Sequence, residues 1–208
     1  MAVNSAALTI TLVPINPLSI SLSAGYDYNW RRQDQFVTNI PYNNITRTIV
    51  AEVKQRTIRF TGRINYNITP DLTIQYYGQP FITRPKYNHF AYVKDGLAKV
   101  YNDRFHPFTP SQISYNNGTY FIDENFDGIT DYSFNKPDFN FVQFRSNLIM
   151  RWEYKPGSEF YLVWSQSNTP DVSGELATPV FNSLLNDAFS GGNARNIFLV
   201  KFTYRFLK

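Results

Sequence analysis

The stretch Asp123-Glu124-Asn125-Phe126-Asp127-Gly128-Ile129-Thr130-Asp131 carries the densest set of oxygen donors in the chain. It fits the opening of a calcium loop, D-x-N-x-D-G-x-x-D. Calcium is held by carboxylate, amide and carbonyl oxygens. The expected ligands are therefore the side chains of Asp123, Asn125 and Asp127, the carbonyl of Ile129, and Asp131 directly or through water. Gly128 permits the sharp turn. Two features depart from the full pattern. Position twelve of the loop is Phe134, where a bidentate Glu belongs, and no helical periodicity flanks the loop. An Asx-rich turn, whose side chains accept backbone N–H groups, accounts for the same composition. Calcium is thus expected as a loop-stiffening ion and not as a catalyst.

Hydrolytic chemistry has little to work with. The chain has two histidines, His89 and His106, and no cysteine. That excludes disulfides, thiolate metal sites and cysteine nucleophiles. Ser111, Ser114, Asp95 and Asp103 lie near the histidines in sequence, but nothing marks a nucleophile elbow or a spaced metal pair. Ordinary loop histidines are expected. A membrane-embedded hydrolase would instead need His89 or His106 within reach of a Ser or Asp.

The elements that must carry these residues are strands. Leu8, Ile10 and Leu12 alternate with threonines. Leu18, Ile20, Leu22, Ala24, Tyr26, Tyr28 and Trp30 alternate with polar residues, as do Ile58, Phe60, Ile64, Tyr66 and Ile68. The same period of two runs through Phe144, Leu148, Met150, Trp152 and Tyr154, through Phe160, Leu162 and Trp164, and through Phe198, Val200, Phe202, Tyr204 and Phe206. Such alternation gives each strand one apolar and one polar face. No apolar run reaches the ~18–20 residues of a spanning helix. Aromatics make up 17% of the 208 residues, which suits membrane aromatic girdles. The fold is predicted as all-β, an antiparallel up-and-down transmembrane β-barrel. Phe144, Trp152, Trp164, Phe198, Phe202, Tyr204 and Phe206 are expected to face lipid.

Arg59, Arg63, Arg145, Arg151, Glu153, Lys201 and Arg205 fall on the opposite faces, among Thr, Asn and Gln neighbours. In a barrel they line the lumen, either as a ladder of ion pairs or as a pore whose arginines favour anions. The formal charge of +4 is spread singly along strands, so no basic patch for nucleic acid is expected. A soluble β-barrel that binds a ligand in an aromatic-lined interior is the rival reading.

Turns fall into two classes. Residues 14–17, 69–71 and 155–158 are tight and contain Pro. Residues 85–140 and 168–195 are long, and the first is expected as an extracellular loop. Residues 178–191 show helical spacing of Phe181, Leu184, Leu185, Ala188 and Phe189, predicting a short helix over the rim. If residues 35–40 form a strand of their own, pairing with 46–54, the count is about nine, beginning with a downward strand. Bacterial barrels normally have an even count. The N-terminus also lacks a basic, apolar leader. Upstream strands are therefore expected, with residues 1–208 as the C-terminal portion of the barrel.

Three strings resemble a known family: R-T-I-R-F-T-G-R-I-N-Y-N-I-T-P-D-L-T-I-Q-Y-Y-G-Q-P-F (residues 56–81), K-P-D-F-N-F-V-Q-F-R-S-N-L-I-M-R-W-E-Y-K-P-G-S-E-F-Y-L-V-W (residues 136–164) and N-I-F-L-V-K-F-T-Y-R-F (residues 196–206). Together they resemble the C-terminal β-barrel region of the domain of unknown function 5916 family. The resemblance implies an outer-membrane domain of Bacteroidota-type bacteria that follows a sandwich similar to family 9 carbohydrate-binding modules. Full members are often labelled membrane-associated hydrolases. The implied partners are the lipid bilayer, the barrel-assembly machinery reading the C-terminal aromatic strand, and glycans through an N-terminal domain. The implied role is anchor or solute passage for a carbohydrate-related envelope protein.

Overall fold

A computed structural model describes residues 2–170 and 194–206. The helix expected over 178–191 lies outside the described residues. The chain is all-β and antiparallel, with β1 Ala2–Ile15, β2 Leu18–Tyr42, β3 Ile45–Thr69, β4 Leu72–Val93, β5 Phe105–Pro107, β6 Ile113–Asn116, β7 Thr119–Ile122, β8 Tyr132–Asn135, β9 Phe141–Lys155, β10 Ser158–Asn168 and β11 Arg195–Phe202. The main sheet has the order β1-β2-β3-β4-β9-β10-β11, with β5 on β4, and β6-β7-β8 form a second sheet.

Seven long strands replace the nine expected. The breaks anticipated near residues 31–34 and 54–57 do not occur, so β2 and β3 each run for 25 residues. Arg31-Arg32-Gln33-Asp34 and Lys54-Gln55-Arg56-Thr57 are polar but contain no Gly or Pro. Nothing there favours leaving the extended state. The stretch 85–140 is also not a plain loop, because β4 continues to Val93 and β5–β8 follow. At the other end, β11 stops at Phe202, so Tyr204, Arg205 and Phe206 lie beyond the last strand. The described strands form an open meander and not a closed barrel. Among the described residues, β1 pairs only with β2 and β11 only with β10.

The chain divides into two units. The first comprises Met1–Asn4, Tyr28–Arg56 and Arg84–Phe139. Its core is Ile49, Ala51, Phe90, Ile122, Tyr132 and Phe134. Here β3 reads Ile49-Val50-Ala51, and all three residues are buried. A continuous apolar run marks a strand covered on both faces. Phe90 sits in an aromatic cluster with Tyr120 (4.6 Å) and Phe134 (5.2 Å). The β2–β3 turn is Asn43-Asn44, with φ of 48° and 61°. Positive φ at both positions is the hairpin turn that matches strand twist, and Asn tolerates it.

The second unit comprises Ser5–Asp27, Thr57–Thr83 and Asn140–Lys208. It holds residues 5–15 of β1, 18–27 of β2, 57–69 of β3 and 72–83 of β4, with all of β9, β10 and β11. Its three tight turns are the Pro-containing ones anticipated. Thr69 Oγ1 accepts the Leu72 amide (3.0 Å) and Glu153 accepts that of Gly157 (2.8 Å). Gly157 has φ +74° and lies against Arg205, where a Cβ would fall 2.6 Å from Cδ.

Candidate functional site

The second unit presents two chemically opposed faces, and backbone register aligns them. Pairing of β4, β9, β10 and β11 sets Leu72, Trp152, Phe160 and Phe202 in one row across the sheet. Ile74, Met150, Leu162 and Val200 form the next row, and Tyr76, Leu148, Trp164 and Phe198 the third. Twelve apolar side chains thus share one face. Directly opposed pairs on a sheet face lie within contact distance. Trp164 stacks on Phe198 (6.1 Å) and Tyr154 on Phe202 (5.3 Å).

A bulge keeps this face continuous. The two-residue turn pairs Lys155 with Ser158, a register that would set Trp152 beside Tyr161 and mix the faces. The register shifts between Ser158 and Glu159, and Trp152 then meets Phe160. One extra residue on one strand is what returns side chains to their own face.

Of these twelve, Trp152, Phe198, Val200 and Phe202 are exposed, Phe198 at 68%, and the other eight are partly exposed. Tyr204 and Phe206, past β11, are exposed too. Trp164 is half-buried. Phe144 departs from the expected exposed set. It is 6% exposed and packs with Ile82 and Val142 against Ile58 and Phe60. Neighbouring strands cover it, a property that alternation within β9 cannot reveal.

The opposite face carries the charged residues in separate zones, with a largely apolar row of Gln75, Ile149, Val163 and Leu199 between them. Thr73, Arg151, Tyr161 and Lys201 form the row nearest the Pro turns. Arg151 Nε donates to Glu159 (3.0 Å) and its Nη2 lies 3.6 Å from Glu153. Lys201 lies over the Tyr161 ring at 5.7 Å. Arg59 pairs with Asp27, its Nη2 at 3.4 Å from Oδ1. Arg63 lies over Tyr77 at 5.2 Å, and Gln79 donates to Thr61 (3.1 Å). Arg145 lies on this face beside Ser167. Arg205 sits past β11, its backbone N–H donating to Ser158 Oγ (3.0 Å). Sequence reading missed Asp27, Glu159 and Tyr161 as members. Each alternates correctly within its strand, but their partners lie on other strands.

In the first unit, the Asp123–Asp131 loop folds around its own oxygens. Asp123 accepts the amides of Asp127 (3.1 Å) and Gly128 (2.8 Å). Asn125 accepts Asp127 N–H (3.0 Å), and Asp127 accepts Ile129 N–H (2.8 Å). Asp131 accepts the Glu124 amide (2.7 Å). This is the Asx-turn arrangement. Among the described residues, no group of three or more His, Asp or Glu side chains is disposed to hold a metal. The loop is anchored by Glu124, which accepts from Arg47 Nε (3.1 Å) and the Tyr132 hydroxyl (2.7 Å). Arg47 also lies over the Tyr92 ring at 4.4 Å. Burial, then the bond to Glu124, holds the Tyr132 phenol well above its ordinary pKa.

His89 Nδ1 lies 3.3 Å from Glu52, and His106 stacks on Tyr92 at 4.9 Å. Ser111 Oγ engages Thr109 (3.0 Å). Searches of family models, curated proteins and solved structures give no match to this chain.

Proposed function

We propose that this chain is part of an outer-membrane β-barrel, to whose wall the second unit contributes. The observation that carries the reading is the register of β4, β9, β10 and β11, which aligns three wholly apolar, at least partly exposed rows on one face and gathers the charged residues on the other. Water disfavours so large an exposed apolar surface, whereas lipid accepts it. Three further features support it. The portions of β1–β4 in the second unit are close to the ~9–11 residues needed to cross a bilayer as tilted strands. Tight Pro turns sit at one end of those strands, as periplasmic turns do. Trp152, Tyr154 and Tyr204 gather at that end, where interfacial aromatics belong. The open edges at β1 and β11 would be satisfied by further strands, since every backbone polar group in lipid needs a partner.

In this role the domain anchors an envelope protein or passes solutes for it, and the carbohydrate connection comes from the resemblance alone. Calcium at Asp123, Asn125, Asp127, Ile129 and Asp131 is a separate proposal, supported by the oxygen-rich sequence and the turn at Gly128.

The test is folding into detergent micelles or lipid vesicles, read as heat-modifiable gel mobility. A compact, heat-sensitive band that needs amphiphile supports the membrane barrel. A stable monomeric fold in plain buffer removes the lipid-facing assignment.

A further inference from the structure

The arginines of the polar face are not equivalent. Arg59 and Arg151 are neutralised by Asp27 and by Glu159 with Glu153. The acidic residues among the described part of the second unit are Asp27, Asp71, Glu153 and Glu159. Asp71 lies in a Pro turn at the end of the sheet. Arg63, Arg145 and Arg195 therefore have no carboxylate partner among the described residues, and all three are exposed.

These three cations line two recesses that share one residue. Arg63, Gln75, Tyr77 and Asn147 border a recess of about 370 Å³. Arg145, Asn147, Ser165, Ser167 and Arg195 border a neighbouring one of about 250 Å³. Register explains the grouping. Arg145, Ser167 and Arg195 occupy one row, with Gln79 at its other end. Tyr77, Asn147, Ser165 and Ile197 occupy the next. Arg145 and Arg195 flank Ser167 two strand spacings apart, about 10 Å. Each guanidinium is a planar fork matched to carboxylate or phosphate oxygens. The intervening hydroxyls and amides can donate to the same anion. Unlike the Arg151 row, this zone carries positive charge that no carboxylate among the described residues cancels.

We propose that Arg63, Arg145 and Arg195 form a binding site for a small multivalent oxyanion, a carboxylate or phosphate compound, on the polar face of the second unit. The proposal rests on the barrel reading in one respect: that reading turns this face toward an aqueous lumen, where the site would select anions for passage.

The experiment uses the full chain, with citrate and inorganic pyrophosphate as probes, titrated calorimetrically at low salt. Each sample is checked for heat-modifiable mobility. The test variant is R63Q/R145Q/R195Q. The control is K86Q/K94Q/K99Q, which removes equal charge from exposed lysines of the first unit. The expected result is saturable binding that weakens at least tenfold in the arginine variant and less than twofold in the lysine variant. Tighter citrate binding would identify a carboxylate ligand, and tighter pyrophosphate binding a phosphate one. Equal weakening in both variants would reduce the effect to net charge and overturn the site. Absence of binding by a chain that folds in detergent would overturn the site and leave the barrel reading standing. Specific binding by a chain that is folded in plain buffer would keep the site and remove the barrel.

Discussion

Glu124 joins the first unit's loop to its strands through a single carboxylate. It accepts from Arg47 on β3 and from Tyr132 on β8, and its side chain is 12% exposed. Removing it leaves a largely covered guanidinium without its counter-charge. Glu124→Ala is expected to cost about 2 kcal/mol, measured by urea unfolding of the detergent-folded chain. Tyr132 adds a pH dependence. Its raised pKa means that the folded state keeps a proton the unfolded state loses. The stabilisation is therefore fully present below the ordinary tyrosine value near ~10 and declines as pH rises beyond it. Unfolding curves from pH 8 to 11 should show this loss, and Tyr132→Phe should remove that part of the slope. The calcium proposal belongs to the same scale. Millimolar calcium should raise the melting temperature of the native loop and leave Asp123→Ala with Asp127→Ala unchanged. An identical melting temperature with calcium and with chelator would dismiss the ion.

At the scale of elements, the β9–β10 hairpin shows how local chemistry sets a long-range face. Its Pro156-Gly157 turn is tight, and the bulge at Ser158 and Glu159 then restores the alignment of Trp152 with Phe160. Gly157 is required by its φ of +74°, and a side chain there would also displace Arg205. Gly157→Ala should destabilise the hairpin by about 1 kcal/mol or more, read as a lower urea midpoint. The two faces of β10 and β11 allow a paired test. Val200→Arg places a charge on the apolar face, and the expected loss is about 2–4 kcal/mol if that face meets lipid. Leu199→Arg, on the opposite face of the same strand and already exposed, should cost much less. Equal costs would mean that the faces are not distinguished by solvent.

At the scale of the molecule, the edges of the sheet decide how the chain can exist alone. β1 and β11 present unpaired backbone among the described residues, and exposed edges recruit other strands. Without amphiphile, the chain should associate in a concentration-dependent way, which light scattering would detect. Detergent should suppress that association while keeping strand content constant by circular dichroism.

The sequence by itself determined what depends on near neighbours. Period-two alternation named the strands and sorted Phe198, Phe202, Arg59 and Arg151 onto their faces, because side-chain direction follows from the strand backbone alone. Pro and Gly located the three tight turns for the same local reason. Only the tertiary structure decided the rest. The lack of Gly and Pro in Arg31–Asp34 and Lys54–Thr57 permits β2 and β3 to run on, while the buried Ile49-Val50-Ala51 core and the covering of Phe144 depended on partner strands. The distinction between neutralised and uncancelled arginines also arose there, since Asp27 lies 32 positions from Arg59. Alternation records which way a side chain points, but charge pairing depends on what register brings opposite it.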